Sequence, residues 1–173
     1  ISAVIHMGGW ADETDTDPIT LIDHNFNYSK ILAHYCLNRH IRLIYASTAG
    51  TYGDGSRGYE DRIEKLDDLR PLNLYAYARH LFDLWLKRQD VFDRVAGLKM
   101  ANVFGPNEYH RGELSSLVYK SFQAAKNGTK VVLPKGLEHH PHIGQDLVYV
   151  KDFALVVDFF MENPEFNGLF NVG

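Results

Sequence analysis

Leu43-Ile44-Tyr45-Ala46-Ser47-Thr48-Ala49-Gly50-Thr51-Tyr52-Gly53 is an apolar run that dissolves into small residues and a glycine. From Arg42 to Ser47 it reads as a strand buried on both faces, the mark of a parallel sheet. Thr48 to Gly53 then form a turn at the carboxyl end of that strand, where open α/β sheets bind ligands. Downstream, Pro71 leads into Asn73-Leu74-Tyr75-Ala76-Tyr77-Ala78-Arg79-His80. The spacing predicts a helix from Leu74 to Gln89, with Leu74, Ala78, Leu81, Phe82 and Trp85 as its buried stripe and Tyr75, Arg79 and Leu86 beside it. Tyr75 and Arg79 are four apart and share a helix face. A free phenol, with a pKa of about 10, is a poor base at neutral pH, and a fixed cation one turn away lowers that value. The Thr48 hydroxyl can bind the same substrate oxygen. Phenol, cation and hydroxyl together can move a proton to or from a carbinol oxygen while a hydride leaves its carbon. Taken alone, the same pair reads as an amphipathic residue at a helix edge and a solvated charge.

Working outward, Ser2 to Met7 reads as a buried strand, and Gly8-Gly9 ends it. Two glycines let a backbone approach a ligand closely, or make a plain turn. Trp10 to Asp17 is a polar loop. Asp17 as N-cap and Pro18 at the first position open a helix that ends near Asn38. Ile22, Phe26, Ile31, Leu32 and Tyr35 follow helical spacing, and Asn25 inside it ties neighbouring loops together if buried. Asp54 to Leu69 is a long loop, and the charges from Asp61 to Arg70 read as solvated. A third strand runs from Val95 to Val103 and stops at Phe104-Gly105-Pro106-Asn107. Gly112 to Lys126 follows as a helix closed by Asn127-Gly128. Val131 to Leu133 and Leu147 to Val150 are short strands around an irregular loop from Leu137 to Gly144. Lys151-Asp152 opens an apolar helix to Asn163, with Phe159-Phe160 in the core, and Gly168 to Val172 is a last strand. This alternation defines an α/β fold, a Rossmann-like doubly wound parallel sheet with helices on both faces.

The 173 residues amount to about one domain, and 45% hydrophobic content suffices for a core. A net charge of −4 gives no reason to expect nucleic acid or a membrane surface as partner. Cys36 is the only cysteine, which excludes an intrachain disulfide and fits a reducing compartment. No apolar run approaches the roughly 18 residues of a membrane span. The opening Ile1-Ser2-Ala3-Val4 reads like the middle of a strand, so the expectation is an N- and C-terminally truncated fragment of the fold. His139-His140-Pro141-His142 matches no zinc spacing, so no metal is expected. A histidine side chain ordinarily changes charge near neutrality, so His110 is a candidate base, or an ordinary loop histidine.

Four stretches coincide: the strand into Gly8-Gly9; Tyr45 to Gly53 followed by Pro71 to Tyr75; Asn102-Val103-Phe104-Gly105-Pro106-Asn107-Glu108-Tyr109-His110-Arg111-Gly112; and Asp146-Leu147-Val148-Tyr149-Val150-Lys151-Asp152. Together they resemble the extended short-chain dehydrogenase/reductases of the NAD(P)-dependent nucleotide-sugar epimerase and dehydratase family. The third stretch most resembles the ADP-heptose 6-epimerase branch. That resemblance implies a cofactor, NADP with NAD as the alternative, and an ADP-linked sugar whose C6 is oxidised to a ketone and reduced from the other face. It further implies a homo-oligomer in the cytoplasm, serving lipopolysaccharide core assembly. By the same resemblance Tyr75, Thr48, Arg79 and Arg111 hold the catalytic positions. Gly8, Gly9, Trp10, Ala11, Asn25 and Val103 line the cofactor with Tyr75 and Arg79. Asn102, Glu113, Lys120, Pro134, Lys135, Gly136, Leu137 and Gln145 fall at the substrate. Residues 1–106 then belong to the dinucleotide-binding domain, 107–150 to a smaller substrate lobe, and 151–173 return to the sheet.

The chain departs from that pattern in chemistry. Arg79 and Arg111 stand where the family has lysines, and Gln145 where it usually has arginine. Guanidinium is planar and larger than ammonium, and it effectively cannot deprotonate, so Arg111 cannot serve as a proton-exchanging base. The first glycine-rich phosphate turn lies outside the sequence. Three readings stay open: the heptose epimerase, another nucleotide-sugar dehydratase or oxidoreductase, and a fold-retaining scaffold subunit.

Overall fold

The computed structural model describes residues 1–131 and 146–173. Four parallel strands, β1 (Ala3–His6), β2 (Arg42–Thr48), β3 (Val95–Met100) and β6 (Gly168–Val172), form a sheet in that spatial order. Two further strands, β4 (Asn102–Phe104) and β5 (Leu147–Tyr149), make a separate parallel pair. The helices are α1 (Pro18–Ile22), α2 (Tyr28–Asn38), α3 (Leu74–Gln89), α4 (Leu117–Lys126) and α5 (Val150–Glu162). Alternation along β2 sends Leu43 and Tyr45 into one core with Ala33, Phe82 and Leu86, and Ile44 into another with Phe153 and Phe160. Helices therefore cover both faces of the sheet, as the sequence pattern requires.

Several expectations need correction. The run from Val95 to Val103 is two strands in two sheets. Its chain leaves the main sheet at Ala101, whose amide donates to Val172 O at 2.8 Å, and Asn102 N donates to Asp146 O at 3.2 Å. A run interrupted only by Lys99 and Asn102 carries no mark of a change of partner. The expected helix from Gly112 splits into a 3₁₀ segment (Glu108–Leu114) and α4, because Gly112 has φ +53°. The loop from Asp54 contains a 3₁₀ segment over Ile63–Asp68. Just before that segment Asp61 is no solvated bystander, since its carboxylate accepts the Asn171 amide of β6 at 2.9 Å. Leu74 is 40% exposed and Phe159 45%, so neither is core; each sits at the rim of its helix's apolar stripe.

The long helix after Asp17 also differs. Asp17 caps it by accepting the Ile19 and Thr20 amides, but a π turn over Asp23–Asn27 separates α1 from α2. The wider turn shifts the inward face. Leu21, Asn25, Ser29, Ala33 and Cys36 are buried, while Ile31 and Tyr35 are exposed.

Candidate active site

Thr48 is the final residue of β2 and opens a 3₁₀ turn, Ala49–Tyr52. Its Oγ1 accepts the Gly50 amide at 3.1 Å and its carbonyl accepts the Thr51 hydroxyl at 2.9 Å. That pattern leaves the Thr48 hydroxyl proton free to donate. Helix α3 begins against this turn: a Cβ added at Gly50 would lie 3.2 Å from the Ala76 Cβ. Asn73 caps α3 by accepting the Ala76 amide at 2.7 Å. Tyr75, in the first turn, is half-buried and not packed into the interior.

Arg79 is 4% exposed, which removes the solvated-charge alternative. Its Nη1 donates to Ala46 O at 3.2 Å and its Nη2 to Gly8 O at 3.0 Å. The guanidinium carbon lies 5.7 Å from the Tyr75 ring centre, within cation–π range. One side chain therefore joins the carboxyl ends of β1 and β2 and underlies the phenol. Arg79 Nε is buried with no partner among the described residues.

The π turn aims Asn25 at the same place. π turns inside helices recur at functional sites. Asn25 is fully buried, its Nδ2 donates to Trp10 O at 3.0 Å, and its Oδ1 has no partner among the described residues. Gly9 has φ +147°, and a Cβ there would lie 2.3 Å from Arg79 Nη2 and 2.4 Å from Asn25 Oδ1. Only glycine fits this cradle. Trp10 and Ala11 are exposed beyond it, with Trp10 Nε1 donating to Asp15 at 2.7 Å. Gly9→Ala is expected to push Arg79 and Asn25 aside and weaken nicotinamide-dinucleotide binding at least about tenfold while the fold survives, since local backbone strain costs about 1–3 kcal/mol. Cofactor titration by fluorescence, beside a melting curve, checks this.

A second group follows β4. Val103 is half-buried, and Asn102 is exposed at the start of the strand. Glu108 fixes the loop after them: its carboxylate accepts the Gly105 amide at 2.9 Å, the Ser116 amide at 2.6 Å and the Ser116 hydroxyl at 2.9 Å. Burial pushes the Glu108 carboxyl up, but those donors and the Arg111 charge outweigh it and hold the group below the usual range. Glu108→Ala strands two amides and is expected to cost about 1–3 kcal/mol, read as a lower melting temperature that Glu108→Gln partly restores.

Arg111 is exposed, and its charge acts on Glu13 of the loop after β1. Glu13 to Thr16 face Pro71 to Leu74 and Tyr77 across an open cleft of about 510 Å³, and Tyr75 is not among its lining residues. His110 Nδ1 lies 2.8 Å from Asn107 O. Donation from Nδ1 leaves Nε2 as the acceptor nitrogen. Lys120 donates to Glu113 O and lies 3.8 Å from the Glu113 carboxylate, so these two are tied to each other on the surface. Pro134, Lys135, Gly136, Leu137 and Gln145, the histidines at 139, 140 and 142, and most of the expected strand from Val131 lie outside the described residues. Among the described residues no group of His, Cys, Asp and Glu is arranged to hold a metal ion.

Sequence reading missed a polar row that is buried at Ser47 and Lys99 and reaches the surface at Asn171. Ser47, Lys99 and Asn171 are register partners across β2, β3 and β6. Asp83 of α3 is fully buried above them, its carboxylate accepting from Tyr45 Oη at 2.8 Å, Ser47 Oγ at 2.7 Å and Lys99 Nζ at 2.9 Å. The only sequence signal is a lysine inside an otherwise apolar strand.

Two buried histidines titrate low. His6 Nε2 pairs with Ser29 Oγ at 2.9 Å, and Ser29 in turn donates to Asn25 O. Burial, with help from Arg79, lowers the His6 pKa to about 4. Burial also lowers His80 to about 4, the Lys99 charge adding to it and Asp83 opposing it. Both folded values lie below the unfolded one, so their contribution to stability is complete above pH 6.5 and disappears as pH falls to 4. The expected loss is about 3 kcal/mol per histidine across that window, seen as a falling urea midpoint. A midpoint unchanged between pH 7 and 4.5 refutes neutral burial.

Glycine turn, phenol, buried cation and strand-end hydroxyl all lie at the carboxyl rim of a parallel sheet, where Rossmann-type folds bind their ligands. The NAD dependent epimerase/dehydratase family model matches residues 1–173, and the chain belongs to that family. An ADP-L-glycero-D-manno-heptose-6-epimerase of Nitratidesulfovibrio vulgaris is 40% identical over 178 residues, covering 100% of this chain and 54% of that protein. The crystal structure of the Helicobacter pylori ADP-L-glycero-D-manno-heptose-6-epimerase superposes with a TM-score of 0.78 at 21% identity, over 100% of this chain and 53% of that one. The Bordetella bronchiseptica enzyme WbmG, in complex with NAD and UDP, gives a TM-score of 0.73 at 20% identity over 99% and 50%. The chain spans about half the length of the curated relatives it matches.

Proposed function

We propose that the chain carries the proton-transfer half of an NADP- or NAD-dependent epimerase that inverts C6 of an ADP-linked heptose through a ketone. The observation that carries this reading is the convergence of Tyr75, buried Arg79, Thr48 and the Gly9 cradle on one rim. An exposed diglycine backbone beside two buried groups without a partner among the described residues, Asn25 Oδ1 and Arg79 Nε, fits the polar nicotinamide-ribose end of a dinucleotide. When bound, such a cofactor accepts and returns the hydride of the sugar carbon. Tyr75 takes the proton of the C6 hydroxyl as the ketone forms, and gives it back on reduction. Thr48 donates a hydrogen bond to the same oxygen and keeps it aligned. Arg79 holds both strand ends and supports the phenol ring. Glu113 and Lys120 belong with residues 134–137 and 145 to the substrate lobe in this reading, within 107–150, and Asn102 reaches the substrate from the end of the dinucleotide-binding domain.

The family resemblance and the 40% identity to named heptose epimerases support the sugar. With it come self-association, work in the cytoplasm and a place in lipopolysaccharide precursor synthesis. Incubating the protein with ADP-heptose and NADP or NAD, and following C6 configuration by NMR, tests the reading. A second reading, a fold-retaining scaffold, is favoured by the arginines at positions 79 and 111 and by Gln145; it expects cofactor binding without inversion.

A further inference from the structure

We propose that the buried Asp83–Lys99 pair is a positioning lock that fixes the Thr48 turn and the Tyr75 helix relative to each other. The inference rests on the reading above for the roles of Thr48 and Tyr75. Asp83 is 0% exposed and Lys99 1%, and their atoms are 2.9 Å apart. Burying such a pair is weak evidence for stability, because desolvation offsets most of the attraction. Its geometry points to another use.

Lys99 has only donors, and it donates to Thr51 Oγ1 at 2.7 Å. Thr51 must then turn its own proton away, and it donates to Thr48 O at 2.9 Å. A cation on β3 thus sets the hydroxyl direction that closes the turn carrying Thr48. The other end of the pair belongs to α3. Asp83 lies eight residues, about two turns, beyond Tyr75 and four beyond Arg79 on that helix. Ser47 and Tyr45 of β2 hold the same carboxylate, so Asp83 fixes the rotation of α3 over the sheet.

The site is built for this contact. A Cβ at Gly97 would lie 2.5 Å from Tyr45 Oη, so the glycine makes the room in which Tyr45 reaches Asp83. Tyr52 covers Lys99 with its ring centre 5.2 Å away and donates to Asn171 at 2.7 Å. Neither Asp83 nor Lys99 touches the exposed rim; each acts through a neighbour.

The test uses Thr51→Val, Thr51→Ser, Lys99→Met and Asp83→Asn/Lys99→Met in the full chain. Amide hydrogen exchange at Gly50 and Gly53, whose N–H groups close the turn, is read beside kcat and KM. Thr51→Val is expected to speed exchange there at least about tenfold while Phe170 in β6 stays protected, and Thr51→Ser restores it. The double variant is expected to recover the melting temperature lost in Lys99→Met without recovering turn protection. Where turnover is measurable, kcat falls and KM for the sugar nucleotide holds. Unchanged exchange at Gly50 and Gly53 in Thr51→Val, or loosening spread equally to β6, overturns the lock. Altered exchange in a protein with no epimerase activity leaves the lock standing and overturns the functional reading.

Discussion

Tyr75→Phe is expected to lower C6 inversion by about 10²–10⁴-fold, the usual worth of one positioned acid/base group. The substitution removes a hydroxyl and nothing else. Tyr75 is half-buried, and its hydroxyl bonds to none of the described residues, so no buried partner is stranded and the melting temperature is expected to hold. The ring that lies over the Arg79 guanidinium remains. Loss of turnover with the fold intact thus isolates proton transfer from packing. Turnover within about threefold of the parent removes Tyr75 from the chemistry and, with it, the reason to group Thr48 and Arg79 as one site. Thr48→Ser, which keeps the donor, is expected to stay within about tenfold of the parent, and Thr48→Val to lose more, since a single donor to a reacting oxygen is worth a few kcal/mol.

How much of this site was legible beforehand depended on whether the signal was local. Helix α3 has the bounds its pattern predicts, Leu74–Gln89, because a capping Asn73 and a continuous helical spacing are written within one segment. The capping of α1 by Asp17 is local in the same way. Tyr75 and Arg79 were found by a four-residue spacing, but the burial of Arg79 was not, since it depends on carbonyls of Gly8 and Ala46 that are distant in sequence. The π turn that aims Asn25 has no composition of its own. The row Ser47, Lys99, Asn171 depends on strand register across three elements, which a single sequence does not write down. In each case the missed feature is a polar group whose partner is remote along the chain, whereas apolar patterns repeat within an element.

Arg111→Lys is expected to raise C6 inversion by about 10²-fold or more, if a second acid/base limits the reaction. Epimerisation through a ketone takes the hydride from one face of C6 and returns it to the other, and one phenol on one side of the sugar cannot serve both the deprotonation and the reprotonation with equal ease. A lysine, with an ordinary pKa near 10.4, can exchange a proton when its surroundings lower that value, whereas guanidinium remains charged throughout. Arg111 is exposed, so the shorter ammonium fits without repacking, and stability is expected to stay within about 0.5 kcal/mol. His110 provides the competing route, because donation from Nδ1 to Asn107 O leaves Nε2 able to accept a proton. The two are separated by combining them. If Arg111→Lys raises turnover and His110→Asn leaves it unchanged, the second proton passes at position 111. If the lysine changes nothing and His110→Asn abolishes inversion, the imidazole has taken over the function, and the arginine is a charged rim residue facing Glu13.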